Sequence, residues 1–159
     1  MYDEVLERLT PYTKHEEIIF TNRCNTSIFL VLNYIKKINP KGVLLIPDQG
    51  GWITYKTYPK FLGISYKEIP TDDGLININT LNNYLENASA IIFNSFAGYF
   101  AEQPVQEIAK ICHKRGCFVI EDASGSLTDP ILADGNHSDI IVASFGKWKL
   151  INVGYGGML

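Results

Sequence analysis

The 159-residue sequence is 46% hydrophobic and 19% charged, with a formal net charge of −3. That is the balance of an ordinary globular protein with enough chain for a sizeable core. Lysine spread thinly among acidic residues speaks against nucleic acid as a partner. No apolar run is long enough to cross a bilayer, and the charged amphipathic start MYDEVLERLT is no secretion signal. A cytoplasmic protein with no membrane partner is therefore expected.

Short β-rich runs alternate with helix-length periodic segments, the pattern of an α/β fold with a mostly parallel sheet. The run EIIFT (17–21) reads as a strand, and a helix is expected from 26 to 38. Ile28, Val31, Leu32 and Ile35 give that helix one apolar stripe. A strand at 43–46, a weakly patterned helix near 53–62 and a strand at 64–69 follow. Asn79 is expected to cap a helix that carries Leu81, Tyr84 and Leu85 on one face. Residues 90–93 read as a buried strand. Pro104 opens the clearest helix, with Val105, Ile108, Ala109 and Cys112 on one face and Gly116 closing it. Strands at 117–120, 139–145 and 156–159 complete a sheet of about seven strands, usual for a doubly wound fold. Asn39-Pro40-Lys41-Gly42 and Thr71-Asp72-Asp73-Gly74 read as turns. The whole chain, 1–159, is expected to be one domain.

Cys24, Cys112 and Cys117 form no disulfide framework. The Cys112 to Cys117 spacing lacks a second ligand pair, and Cys112 lies on the apolar helix face, so core packing is expected there and no metal site.

Ligands of open α/β sheets sit beyond the carboxyl ends of the strands. After the first strand comes Asn22-Arg23-Cys24-Asn25-Thr26-Ser27, a polar cluster opening a helix. It reads either as a phosphate seat or as a plain helix cap. After the strand at 117–120 comes Glu121-Asp122-Ala123-Ser124, a carboxylate flanked by small residues; turn acids are its common alternative. After the strand at 139–145 come Lys147 and Lys149, where an amine can form a Schiff base with a carbonyl or can be a solvated surface group. Together a phosphate seat, a carboxylate and a lysine meet the three needs of pyridoxal phosphate: an anchored phosphate, a protonated ring nitrogen and an amine for the aldehyde. Trp52, after Pro47-Asp48-Gln49-Gly50-Gly51, suits either stacking on the ring or core packing.

These residues in this order resemble the large domain of fold-type I pyridoxal-phosphate enzymes, nearest to the DegT/DnrJ/StrS sugar aminotransferases. The similarity runs from Asn22 to Met158. The family's glycine-threonine helix opening appears as Asn25-Thr26-Ser27, and its strand-ending proline and stacking aromatic as Pro47 and Trp52. Asp72-Asp73-Gly74 followed by Asn77-Ile78-Asn79 resembles the family's aspartate-containing turn. Glu-Asp-Ala-Ala appears as Glu121-Asp122-Ala123-Ser124. Ser-Phe-x-x-x-Lys and the later glycine turn appear as Ser144-Phe145 through Lys149 and Gly154-Tyr155-Gly156-Gly157.

The resemblance implies a three-layer α/β/α major domain whose mostly parallel seven-stranded sheet has its last strand antiparallel and inside the sheet. It implies Lys149, five after Ser144 and five before Gly154, as the Schiff-base lysine, with Lys147 on a variable position. Asp122 would pair with the pyridine nitrogen. Asn25, Thr26, Ser27 and Ser144 would hold the phosphate, and Trp52 the ring. The family's Gln or His after the aspartate is Gly125 here, and the acidic residue of its glycine turn is Tyr155.

Family members run to more than twice this length, so their small C-terminal domain is expected to be missing. The implied activity is transfer of an amino group from an amino donor to a sugar-like or other small-molecule acceptor. A homodimer, or a partner chain that completes the site, is also implied, with Phe96, Tyr99 and Phe100 of the loop 94–100 suited to the interface. The alternative is a non-catalytic relative that keeps the fold and acts as a binding or assembly partner.

Overall fold

The computed structural model describes residues 2–97, 101–129, 132–133 and 135–159. The chain begins with helix α1 (Tyr2–Thr13) and the short strand β1 (Phe20–Thr21), then helix α2 (Cys24–Ile38) and strand β2 (Val43–Pro47). Helix α3 (Thr54–Leu62) leads into strand β3 (Ser65–Ile69) and a small hairpin of β4 (Thr71–Asp72) and β5 (Leu75–Ile76). A one-turn helix α4 (Ile78–Leu81) runs into a 3-10 turn, Asn82–Tyr84, before strand β6 (Ala88–Asn94). A second small hairpin, β7 (Phe96–Ala97) with β8 (Ala101–Glu102), precedes helix α5 (Val105–His113). Strands β9 (Phe118–Asp122), β10 (Ile140–Ser144) and β11 (Gly157–Met158) complete the order.

One seven-stranded sheet runs β1-β11-β10-β9-β6-β2-β3. Neighbours from β3 to β10 pair in parallel. Strand β11 is antiparallel to both β10 and β1, and lies between them as expected.

Side chains alternate across a strand, so each strand of this sheet feeds two cores. On one face Leu44, Ile46, Ala90, Ile92, Ile120 and Val142 meet the α2 stripe of Ile28, Val31, Leu32 and Ile35. On the other, Leu45, Ile91, Phe93 and Val119 meet Leu81 of α4 and Ile108, Ala109 and Cys112 of α5. Leu9 of α1 packs with Ile141, Ala143 and Met158 on that second side. Helices on both faces of a sheet that is apolar on both sides make the three-layer α/β/α arrangement. Cys112 and Cys117 are both buried in the α5 core, where packing accounts for them.

Four local expectations change. The strand 17–21 pairs as a strand only at Phe20–Thr21, although Ile19 still exchanges both backbone hydrogen bonds with Leu159. Helix α2 starts at Cys24, two residues earlier than expected, with Arg23 in extended backbone before it and no side-chain cap. The cap near residue 79 is Asn77, whose side chain accepts the Asn79 N–H at 3.1 Å. An Asn two residues earlier reaches that N–H because the helix opens two residues sooner. The two hairpins and α1 add elements, and two-residue strands carry no readable periodicity. Of the expected interface residues, Phe96 is half-buried, and Tyr99 and Phe100 lie outside the described residues.

Candidate functional site

Parallel strands end at one edge, and three of them deliver polar side chains there. Asn94 is the last residue of β6, Asp122 of β9 and Ser144 of β10. The start of α2, the loop after β2 and the turn at Gly154 to Gly156 close around them. The result is a cavity of about 380 Å³ whose wall includes Asn25, Trp52, Asp122, Ser144 and Lys149. Five of the seven residues singled out in the sequence therefore meet in one place.

Asp122 forms the floor and is 3% exposed. Its Oδ1 accepts the Ser124 N–H at 3.0 Å and its Oδ2 accepts the Tyr55 hydroxyl at 2.8 Å. With both oxygens held, the carboxylate has one orientation. Burial pushes the Tyr55 phenol well above its ordinary value, and the charge and hydrogen bond of Asp122 act in the same direction. Tyr55 is thus a neutral donor at any working pH.

Cys24 also lines the cavity, and its sulfur accepts a 3.4 Å hydrogen bond from Ser124 Oγ. Burial pushes this thiol up to about 12, with Asp122 adding to the rise. The Ser124 hydrogen bond and the charge of Lys149 oppose it. A thiol this weakly acidic is a wall group and not a nucleophile.

The two lysines of the sequence differ in their surroundings. Lys149 is half-buried on the cavity wall, and its charge is felt at Cys24 beside Asp122. Lys147 also touches the wall, but it is exposed and its ammonium sits 4.9 Å from the centroid of the Trp148 ring. That is a cation–π arrangement on a side chain 87% exposed.

Trp52 is 54% exposed, so of its two sequence readings core packing does not describe it. Its indole N–H donates to Asn25 Oδ1 at 3.0 Å. Thr26 and Ser27 have other partners: Thr26 Oγ1 donates to Asn22 Oδ1 at 2.5 Å, and the buried Ser27 hydroxyl pairs with that of Thr21 at 2.8 Å. Neither lines the cavity; both brace the turn between β1 and α2. Ser144 Oγ accepts the Gly146 N–H at 3.2 Å and faces the same cavity.

Tyr55 and Asn94 were not singled out by sequence reasoning, and Arg23, Cys24 and Ser124 appeared only as members of the strand-end clusters. Asn94 ends an apolar strand in the same way as Asp122, so the strand-end rule applied to β6 finds it. Tyr55 had no such signal, being one aromatic in a weakly patterned helix.

The model of the DegT/DnrJ/EryC1/StrS aminotransferase family matches residues 2–159. The chain belongs to this family. Membership in the DegT/DnrJ/EryC1/StrS group brings pyridoxal phosphate as the indicated cofactor. Among solved structures the chain is similar to sugar aminotransferase CalS13 from Micromonospora echinospora, at 15% identity and a TM-score of 0.81. That match covers 98% of this chain and 44% of CalS13. The PLP-form of Spr1654 from Streptococcus pneumoniae matches at 15% identity and a TM-score of 0.80, over 98% of this chain and 44% of that one. A cysteine desulfurase from Thermococcus onnurineus NA1, in its apo structure, matches at 18% identity and a TM-score of 0.81. It is covered to 42%, with 99% of this chain aligned. The chain thus spans less than half the length of these structures, and at such identities the likeness concerns the fold alone. No curated protein is significantly similar in sequence. Among the described residues no helix is long and apolar enough to cross a membrane.

Proposed function

We propose that this cavity holds pyridoxal phosphate and that the activity it serves is transamination of a sugar-like acceptor, of the nucleotide-sugar type, by an amino donor. The observation that carries the reading is the convergence of a fixed, buried carboxylate and a half-buried lysine on one cavity at the strand ends. The donor set fits the cofactor group by group. A cavity of about 380 Å³ lies in the roughly 300–1,000 Å³ range of small-molecule sites. Asp122 suits a pyridine nitrogen, the exposed face of Trp52 suits the ring, and Asn25 and Ser144 with the first turn of α2 suit the phosphate.

The bound cofactor supplies an electron sink for charge that develops on the substrate carbon. The chain's own groups do the rest. Asp122, oriented by two donors, would hold a proton on the ring nitrogen. Lys149 Nζ would hold the cofactor at its aldehyde and move a proton at the reacting carbon. Thr26 and Ser27 keep the α2 entry turn in shape for the phosphate contact. The segment that lines the cavity through Lys147, Lys149, Gly154 and Tyr155 also carries an apolar rim, with Trp148, Leu150, Val153 and Tyr155 87%, 63%, 63% and 72% exposed. A second copy or a partner chain covering this apolar rim belongs to the same reading.

Borohydride reduction of the protein mixed with pyridoxal phosphate tests it. The expected result is one added cofactor mass on the peptide containing Lys149, kept in Lys147→Ala and lost in Lys149→Ala. An unlabelled wild-type protein, or label that persists in Lys149→Ala, sinks the reading.

A further inference from the structure

The geometry points to Tyr55 as a positioning residue that holds the cofactor-facing carboxylate of Asp122 through a directed relay, Asn94 to Tyr55 to Asp122; this rests on the cofactor reading above.

Tyr55 is 1% exposed and belongs to the apolar cluster between α2 and the sheet. A hydroxyl in such surroundings is costly unless it is bonded. Here the Tyr55 oxygen lies 2.8 Å from Asp122 Oδ2 and 2.6 Å from Asn94 Oδ1. The phenol has one proton and cannot donate to both. An ionised carboxylate has no proton to give, whereas a carboxamide, whose two ends have nearly the same shape, can turn its NH2 toward the phenol. The consistent arrangement therefore has Asn94 N–H donating to the Tyr55 oxygen and Tyr55 O–H donating to Asp122. Each bond polarises the next, so the relay strengthens the contact at Asp122.

The local chain is shaped to seat this ring. A side chain at Gly51 would put its Cβ 3.0 Å from Tyr55 Cδ2 and 3.3 Å from Pro47 Cγ. The bare glycine lets the loop after β2 pass close over the phenol. The same relay ties three elements together: Asn94 closes β6, Asp122 closes β9, and Tyr55 stands in the first turn of α3 just past Trp52. The other groups facing Asp122 are Ser124 on its own loop, Cys24 from α2 and Lys149 across the cavity. Among the described residues the Tyr55 hydroxyl holds Oδ2, while the Ser124 N–H holds Oδ1.

Tyr55→Phe keeps the ring and removes the relay. Pyridoxal phosphate affinity and the absorption band of the bound cofactor are to be measured in wild type, Tyr55→Phe, Asp122→Asn and the double variant. The expected result is a roughly tenfold rise in Kd for Tyr55→Phe with a displaced band, a larger loss for Asp122→Asn, and no further change when Tyr55→Phe is added to Asp122→Asn. A residue that merely fills the core would give the same loss in both backgrounds, and that outcome overturns the inference. So does a Tyr55→Phe protein with wild-type affinity and band. A wild-type protein that binds no cofactor removes the underlying reading and this inference together, whereas binding that only Asp122→Asn impairs removes this inference alone.

Discussion

The indole nitrogen of Trp52 donates to the side-chain oxygen of Asn25 across 3.0 Å, tying the loop after β2 to the first turn of α2. One side chain thus spans the two walls of the cavity while its ring stays 54% exposed. An aromatic with one polar tie and one free face is suited to stacking. Trp52→Ala is expected to raise the Kd for pyridoxal phosphate about three- to tenfold, in line with an aromatic contact of roughly 0.5–1.5 kcal/mol. The melting temperature of the cofactor-free protein should barely move, because an exposed ring stabilises little. Absorbance titration and a thermal melt check the two halves separately.

Gly157 lies where a Cβ would come within 2.3 Å of the Cys24 nitrogen and 2.6 Å of the Arg23 carbonyl carbon. Those neighbours are backbone, so they cannot rotate away. Gly157→Ala must push β11 off the start of α2, at a cost of about 1–3 kcal/mol for an overpacked site. Gly125→Ala is the control, since its Cβ would meet only Phe96 Cδ1 at 3.9 Å. Denaturant unfolding should show a lower midpoint for the first and almost none of that loss for the second.

All three cysteines are buried and free. Burial raises Cys24 to about 12, and Cys117 is raised first by its hydrogen bond with Cys112 and then by burial. A thiol with so raised a pKa has almost no thiolate at neutral pH. Ellman's reagent at pH 7.5 is expected to react with none of them on the minute scale in the folded protein, and with three equivalents after guanidinium unfolding. Fast labelling of Cys24 in the native state would contradict its place in the wall beside Asp122.

The parts of this molecule that could be read from sequence are those where a physical rule acts over many residues or at a marked position. Ile28, Val31, Leu32 and Ile35 announce the α2 face because helix period and burial agree. Asp122 stands out because a carboxylate ends an otherwise apolar strand. Lys149 separates from Lys147 only through its register with the motif of the resembled family, and the structure adds a half-buried against an exposed amine. Three-dimensional partnership is what remained hidden. Thr26 and Ser27 read in sequence either as phosphate ligands or as a helix cap, and the partners their hydroxyls have here, Asn22 and Thr21, carry no sequence signal. The bond from Tyr55 to Asp122 spans 67 positions and no local pattern marks it. Trp52 could be placed neither inside nor outside, because the glycines before it let the loop go either way.

His15 supplies a pH test at the opposite edge from the cavity. Its Nε2 is buried without a hydrogen-bond partner among the described residues, and burial lowers its pKa below the ordinary histidine value, only partly offset by the Asp139 charge. The unfolded chain therefore binds this proton more readily than the native one. Between the lowered native value and the ordinary value of about 6.5, stability rises with pH. The contribution is complete above about 6.5 and is lost as pH falls through the native value. Thermal melts taken from pH 7.5 down to pH 5 should show a steeper decline for wild type than for His15→Gln, which has no proton to gain in that window. The two slopes should converge when the comparison is made between pH 7 and 8, where His15 is neutral in both states. Parallel declines across the acid range would mean that other groups carry the whole pH dependence and that the buried ring is hydrated in solution.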